Sequence, residues 1–190
     1  MAYKLPPYDQ IAAILPSYSP QGDHSVVIST DGLSTSTANN VRTLIKRLAR
    51  SRSTDLVALK AHTARATQRS ILQPLPLAPG LVLVPVKVRQ PRISGDTCTG
   101  YVNLHAITDV TICKQQPYRS TLSLAGNTKL PVLWSTTTIN KQLQYARLAL
   151  DQITMHQTLR ESPANYTVIA TIATKLIEVI YDILTLKRKS

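Results

Sequence analysis

Ten consecutive residues carry the sharpest chemical signal in the chain: Lys87-Val88-Arg89-Gln90-Pro91-Arg92-Ile93-Ser94-Gly95-Asp96. Lys87, Arg89 and Arg92 place three positive charges within six residues. Pro91 favours extended backbone and removes one hydrogen-bond donor, and Gly95-Asp96 supplies a turn. Such a segment reads as an extended arm, and a cationic arm fits the narrow minor groove of AT-rich DNA, where the negative potential is deepest. A solvated loop joining two strands has the same composition, so the arm gains meaning from its surroundings.

Those surroundings are one-sided. The 190 residues hold 22 Lys and Arg against 10 Asp and Glu, a net charge of +12. Residues 42–92 contain eleven bases and one acid, Asp55, and so carry +10 of that charge. A solvated surface ordinarily mixes signs; a segment this skewed reads as a polyanion-binding surface. The expected nucleic-acid contacts are Arg42, Lys46, Arg47, Arg50, Arg52, Arg65, Arg69, Lys87, Arg89 and Arg92, with Asn39 or Asn40 as candidates to reach a base edge. Phosphate contacts position a protein on DNA; they do not by themselves confer sequence specificity.

Catalytic motifs are missing. The sequence has no GxxxxGK[ST] phosphate loop, no GxSxG elbow, no HExxH and no EF-hand loop. Its four histidines and ten acids are scattered, whereas a metal-dependent nuclease needs clustered carboxylates to hold its cations. Cys98 and Cys113 lack the CxxC spacing or companion histidines of a zinc site, and a reduced pair is expected. The expectation is a binding protein with no catalytic residues, metal or cofactor.

The elements that must position these charges follow from periodicity. Residues 11–15 and 25–30 read as strands, with Pro16 and Pro20 between them and Asp31-Gly32 as a turn. Ser34-Thr35-Ser36-Thr37 offers N-caps for a helix whose Val41, Leu44, Ile45 and Leu48 fall at helical spacing, leaving Arg42, Lys46, Arg47 and Arg50 on the other side. Thr54-Asp55 opens a second helix running toward Ala66. Residues 70–73, 80–87, 100–114 and 121–134 read as sheet, with Gly126-Asn127 as a hairpin turn and with Pro85 and Pro131 marking edges or bulges. Ile139, Leu143, Ala146, Leu150 and Ile153 form a heptad-like helical stripe.

Ser162-Pro163 opens a last helix whose apolar face includes Ile172, Leu176, Ile180 and Ile183, the candidate oligomerisation residues. Lys175, Glu178 and Asp182 make it amphipathic rather than membrane-spanning. With no apolar run behind Lys4, a secretory signal is not expected, and the cytoplasm is the expected location. The fold class is α+β: a mixed antiparallel sheet, basic helices in the N-terminal half and two C-terminal amphipathic helices. A DNA-binding region over 1–160 and a packing or oligomerisation helix over 161–190 are the expected organisation.

The order of these features resembles the ComK-type competence transcription factors. Leu81-Val82-Leu83-Val84-Pro85 is similar to that family's apolar strand before proline, and Tyr101-Val102-Asn103-Leu104-His105-Ala106-Ile107 to the strand after its central loop. Ala125-Gly126-Asn127-Thr128 occupies the hairpin, and Gln144 with Arg147 matches a Gln-x-x-Arg on the next helix. The likeness covers roughly residues 40–150 and lies in order and spacing. Departures are Ala49-Arg50-Ser51-Arg52-Ser53-Thr54-Asp55, where the family has a Gly-Ser-Ser-Tyr-x-Gly-Arg-like segment, and Leu83-Val84-Pro85-Val86, where it has Phe-Phe-Pro-Thr. The resemblance implies a transcriptional activator of DNA-uptake genes that binds paired AT-rich boxes from the minor groove as a homo-oligomer and assists RNA polymerase. The alternative is a basic module that binds RNA or an acidic protein without transcriptional activity; the absence of Phe and the dispersal of tyrosines weigh against RNA.

Overall fold

A computed structural model of the chain describes residues 3–20, 22–161 and 174–175. The order of elements is β1 (Ile11–Ser19), β2 (Gly22–Ser29), β3 (Ser34–Thr37), α1 (Val41–Ser51), α2 (Leu56–Thr67), β4 (Leu75–Ala78), β5 (Leu81–Lys87), β6 (Thr99–Asn103), β7 (Ile107–Ile112), β8 (Ser120–Leu124), β9 (Thr128–Val132) and α3 (Thr136–Glu161). The strands form a six-stranded sheet of order β3-β2-β1-β6-β5-β4 and a three-stranded sheet β7-β8-β9. Every pairing is antiparallel, so the fold is α+β. The chain divides into two compact units, Met1–Gln152 and Ile153–Ser190. The last helix expected from Ser162 and the residues Ile172, Leu176, Ile180 and Ile183 lie outside the described residues.

With no phenylalanine, aliphatic side chains fill the core. Val82, Val84, Val86 and Val102 of the large sheet pack with Leu122, Leu124, Leu130 and Val132 of the small one and with Ile139, Leu143 and Ala146 of α3. Strand alternation turns the intervening residues to the other face. There Ile14, Leu81 and Leu83 are fully buried, and α1, packed against β1, buries Val41, Leu44, Ile45 and Leu48. The helical spacing of those four residues is why α1 forms where it does.

Several local expectations are corrected. Residues 34–37 form edge strand β3, and the cap of α1 is Asn40, whose side chain accepts a hydrogen bond from the Thr43 amide at 2.9 Å. Thr and Ser suit a strand edge as well as a cap, and pairing with β2 decides between them. Pro16 lies inside β1, opposite Ser25, rather than between strands. Residues 70–73 are a bend, with Leu72 at φ +51°, and the strand begins only at Leu75. The stretch 100–114 is two strands in different sheets, broken by a 3-10 turn at Leu104–Ala106. Pro131 falls on edge strand β9, and Pro85 lies past the point where β4 pairs with β5, so neither proline interrupts a ladder on both sides.

Two contacts fix the frame. Gly126 and Gly32, both at positive φ, bring the β8–β9 hairpin against the turn after β2 so closely that a Cβ on Gly126 would sit 2.3 Å from the Gly32 nitrogen. Asn103, 1% exposed at the end of β6, donates to the carbonyls of Ile11 (3.1 Å) and Gly80 (2.9 Å) and accepts from the amides of Val82 (3.2 Å) and His105 (3.3 Å). One amide side chain thus ties β1, β5 and the turn that leads to the second sheet.

Candidate nucleic-acid interface

Burial of one face of α1 leaves Arg42, Lys46 and Arg50 exposed at intervals of four residues, a cationic stripe along the helix. Arg47, on its flank, is half-buried and donates from Nη2 to the Tyr3 carbonyl at 2.7 Å. The Arg52 guanidinium lies 4.5 Å from the centre of the Tyr8 ring. Arg47 and Arg52 therefore hold the segment preceding β1 against α1, although Arg52 stays exposed. At the other end of the stripe, Arg42 stands beside Tyr101 of β6. Burial pushes the Tyr101 phenol above its ordinary value, and the Arg42 charge pulls it back.

The loop between β5 and β6 carries the second cluster. Arg89 is 11% exposed, forms an ion pair with Asp23 of β2, and donates from Nε to the Thr97 carbonyl at 2.8 Å. Its guanidinium lies 3.7 Å from the centre of the Tyr18 ring, and that of Arg92 lies 4.1 Å from the same centre. The Tyr18 hydroxyl donates to the Asp96 carboxylate and accepts from the Arg92 amide at 3.1 Å. The same carboxylate oxygen accepts from the amides of Arg92 (2.8 Å) and Ile93 (3.1 Å), closing a turn through Gly95 at φ +92°. The free arm expected over residues 87–92 is thus a braced loop. Arg89 is its fastener rather than a free cation, while Lys87 and Arg92 remain exposed.

These clusters share one side of the large sheet. Ile14 pairs with Tyr101, and alternation carries the same face through Pro16 to Tyr18, which pairs with Asp23. That is the face against which α1 packs, and Tyr101 stands two residues from the strand start at Thr99, where the loop rejoins the sheet. Arg65 and Arg69 are carried instead by α2, which packs against β4, three strands from β1. Arg65 is exposed, and Arg69 is half-buried over the Tyr145 ring at 4.9 Å. Asn40 uses its carbonyl oxygen as the helix cap, and the Asn39 amide group donates to Thr37 Oγ1 at 3.0 Å; both act locally rather than at a base edge.

The sequence reading missed the tyrosines. Tyr8, Tyr18 and Tyr145 each hold an arginine, and Tyr101 faces one. Their partners are distant in sequence, 78 residues in the case of Tyr18 and Asp96, so no local pattern announces them.

Asp96 gives the loop a pH dependence. The Tyr18 hydroxyl first, then the Ile93 and Arg92 amides, hold its carboxyl below the ordinary carboxylate value. A group whose folded pKa is depressed contributes stability above its unfolded value and loses it as pH falls through the folded one. Backbone order of Arg92 and Ile93, followed by NMR relaxation, is expected to be high at neutral pH and to fall at the acid end. Asp96→Asn should show low order throughout; a flat profile in the wild type would remove the brace from this account.

Among the described residues no group of three or more His, Cys, Asp or Glu is placed to hold a metal ion, and no helix is long and apolar enough to cross a membrane. No family model, curated protein or solved structure matches this chain.

Proposed function

We propose that this protein binds duplex DNA and activates transcription of DNA-uptake genes, contacting AT-rich sites through phosphates and the minor groove and carrying no catalytic activity of its own. The observation that supports the reading best is the combination of Arg42, Lys46 and Arg50 exposed in line on α1 with Lys87 exposed at the end of β5 and a braced loop presenting Arg92. Cations spaced along a rigid surface suit a regular row of phosphates, and a fixed loop bearing arginine suits a groove. Tyr18 already carries two guanidiniums, so it offers no open stacking platform of the kind that RNA-binding surfaces use.

The resemblance extends the proposal to RNA polymerase as a partner, to self-association, and to residence on the nucleoid in the cytoplasm. Self-association is assigned to residues 161–190, with Ile172, Leu176, Ile180 and Ile183 as its contacts. Joining two such surfaces raises affinity for paired sites by effective concentration.

Fluorescence anisotropy on AT-rich and GC-rich duplexes tests the division of labour. Arg92→Ala is expected to lower the AT-over-GC preference by about tenfold, the size of one lost groove contact. Arg89→Ala should lower it too, by releasing the loop. Equal weakening on both duplexes would reduce Arg92 to a phosphate contact.

A further inference from the structure

The loop that bears Arg92 also bears Ile93, which is 71% exposed with no apolar cover. A single exposed isoleucine is ordinary; the way this one is held is not. Its own amide and that of Arg92 are bound by one Asp96 oxygen, and the Asp96 amide donates back to the Ile93 carbonyl at 3.3 Å. Tyr18 and Arg89 fasten the base of the turn to the β1–β2 hairpin. Pro91, Arg92, Ile93, Ser94 and Gly95 are all exposed, so the turn projects from the surface as a short, stiff tip. The exposed Arg92 adjoins this apolar side chain in the chain, and Lys87 is exposed at the end of β5, where the loop begins.

From this geometry we infer that Ile93 is a wedge that enters between two base pairs from the minor groove, unstacking one step and kinking the duplex. The inference rests on the DNA-binding reading above and deepens it by naming the residue that deforms the DNA. Apolar wedges of this size partially unstack flexible steps, and the unstacking cost is repaid by the protein surface that the bent duplex can reach. Arg92 beside the tip and Lys87 at the base of the loop supply positive charge toward the phosphates, while the aliphatic side chain replaces a base-stacking contact. Deformability is then read as specificity, favouring pyrimidine–purine steps such as TA within an AT-rich site. A wedge must resist being pushed back, and the Tyr18–Asp96–Arg89 brace provides that resistance.

The test uses the full chain and an AT-rich duplex carrying 2-aminopurine at a central TA step, with binding followed by anisotropy and unstacking by 2-aminopurine emission. Wild type is expected to raise the emission several-fold at saturation. Ile93→Ala should still bind but leave the emission near that of free duplex, and Ile93→Leu should retain the increase. Because the side chain is exposed, Ile93→Ala should show unchanged circular dichroism and thermal midpoint. Wild type that binds without raising the emission across a series of step positions, or Ile93→Ala that raises it equally, overturns the wedge and leaves DNA binding intact. A wild type that does not bind duplex at all overturns the DNA reading and the wedge together.

Discussion

Alanine at Arg42, Lys46 and Arg50 together should weaken binding to AT-rich and GC-rich duplex alike, by about a hundredfold near physiological salt, if each lost phosphate contact is worth roughly 1 kcal/mol. The three side chains are exposed on α1, and none serves the core that Val41, Leu44, Ile45 and Leu48 build. Alanine is the best helix former, and like charges four residues apart repel by a few tenths of a kcal/mol, ~0.2–0.5 per pair. The triple variant should therefore unfold at the same denaturant concentration as wild type or slightly higher. Loss of binding without loss of stability is the signature of a surface kept for its partner. Anisotropy and urea denaturation on the same preparation measure both; unchanged affinity on both duplexes would remove α1 from the interface.

The second large effect concerns stability. Asn103→Ala removes a side chain that satisfies four backbone groups, leaving the carbonyls of Ile11 and Gly80 and the amides of Val82 and His105 to find other partners in a site that is 1% exposed. Buried polar groups stripped of partners cost about 1–3 kcal/mol each before relaxation, so a net loss of roughly 3–5 kcal/mol is expected, a large part of the ~5–15 kcal/mol that holds a typical domain together. Asn103→Asp should fare no better, because a carboxylate oxygen would then face the two carbonyl oxygens that the amide now serves. Chemical denaturation followed by circular dichroism measures the loss. A change below about 1 kcal/mol would mean that the junction tolerates the vacancy and that Asn103 is not its tie. The stretch Tyr101 to Ile107 thus contains a residue with an evident structural task, Asn103.

What could be read from the sequence was whatever depends on local period. The α1 stripe, the Asp55 cap, the hairpin at Gly126-Asn127 and the edge position of Pro131 all follow from spacing or turn chemistry within a few residues, whereas Pro85 lies on interior strand β5. Ser34–Thr37 is ambiguous in sequence because the same residues serve a cap and a strand edge equally well, and the deciding partner, β2, lies in another part of the pattern. The candidate site was legible as charge and illegible as geometry. Arg89 and Arg92 look alike in sequence, yet Asp23 and Thr97 take up Arg89 while Arg92 stays exposed. Asp23 and Tyr18 reach the loop only because the β1–β2 hairpin folds beside it. Arg47 and Arg52 likewise belong to the protein's own packing through Tyr3 and Tyr8. The +10 segment therefore resolves into fasteners and exposed cations: Arg42, Lys46, Arg50 and Lys87, with Arg92 lying over Tyr18, share the side of the sheet that α1 covers, while Lys60 and Arg65 are exposed on α2.

The central claim is that Arg42, Lys46, Arg50 and Lys87 neutralise DNA phosphates, and the salt dependence of binding tests it most directly. Titrating an AT-rich duplex with the full chain over a series of salt concentrations should give a plot of log K against log[salt] with a slope of about −4 per chain or steeper, from ~0.9 counterions released per contact. A slope near zero, or no measurable binding at low salt, would contradict the account.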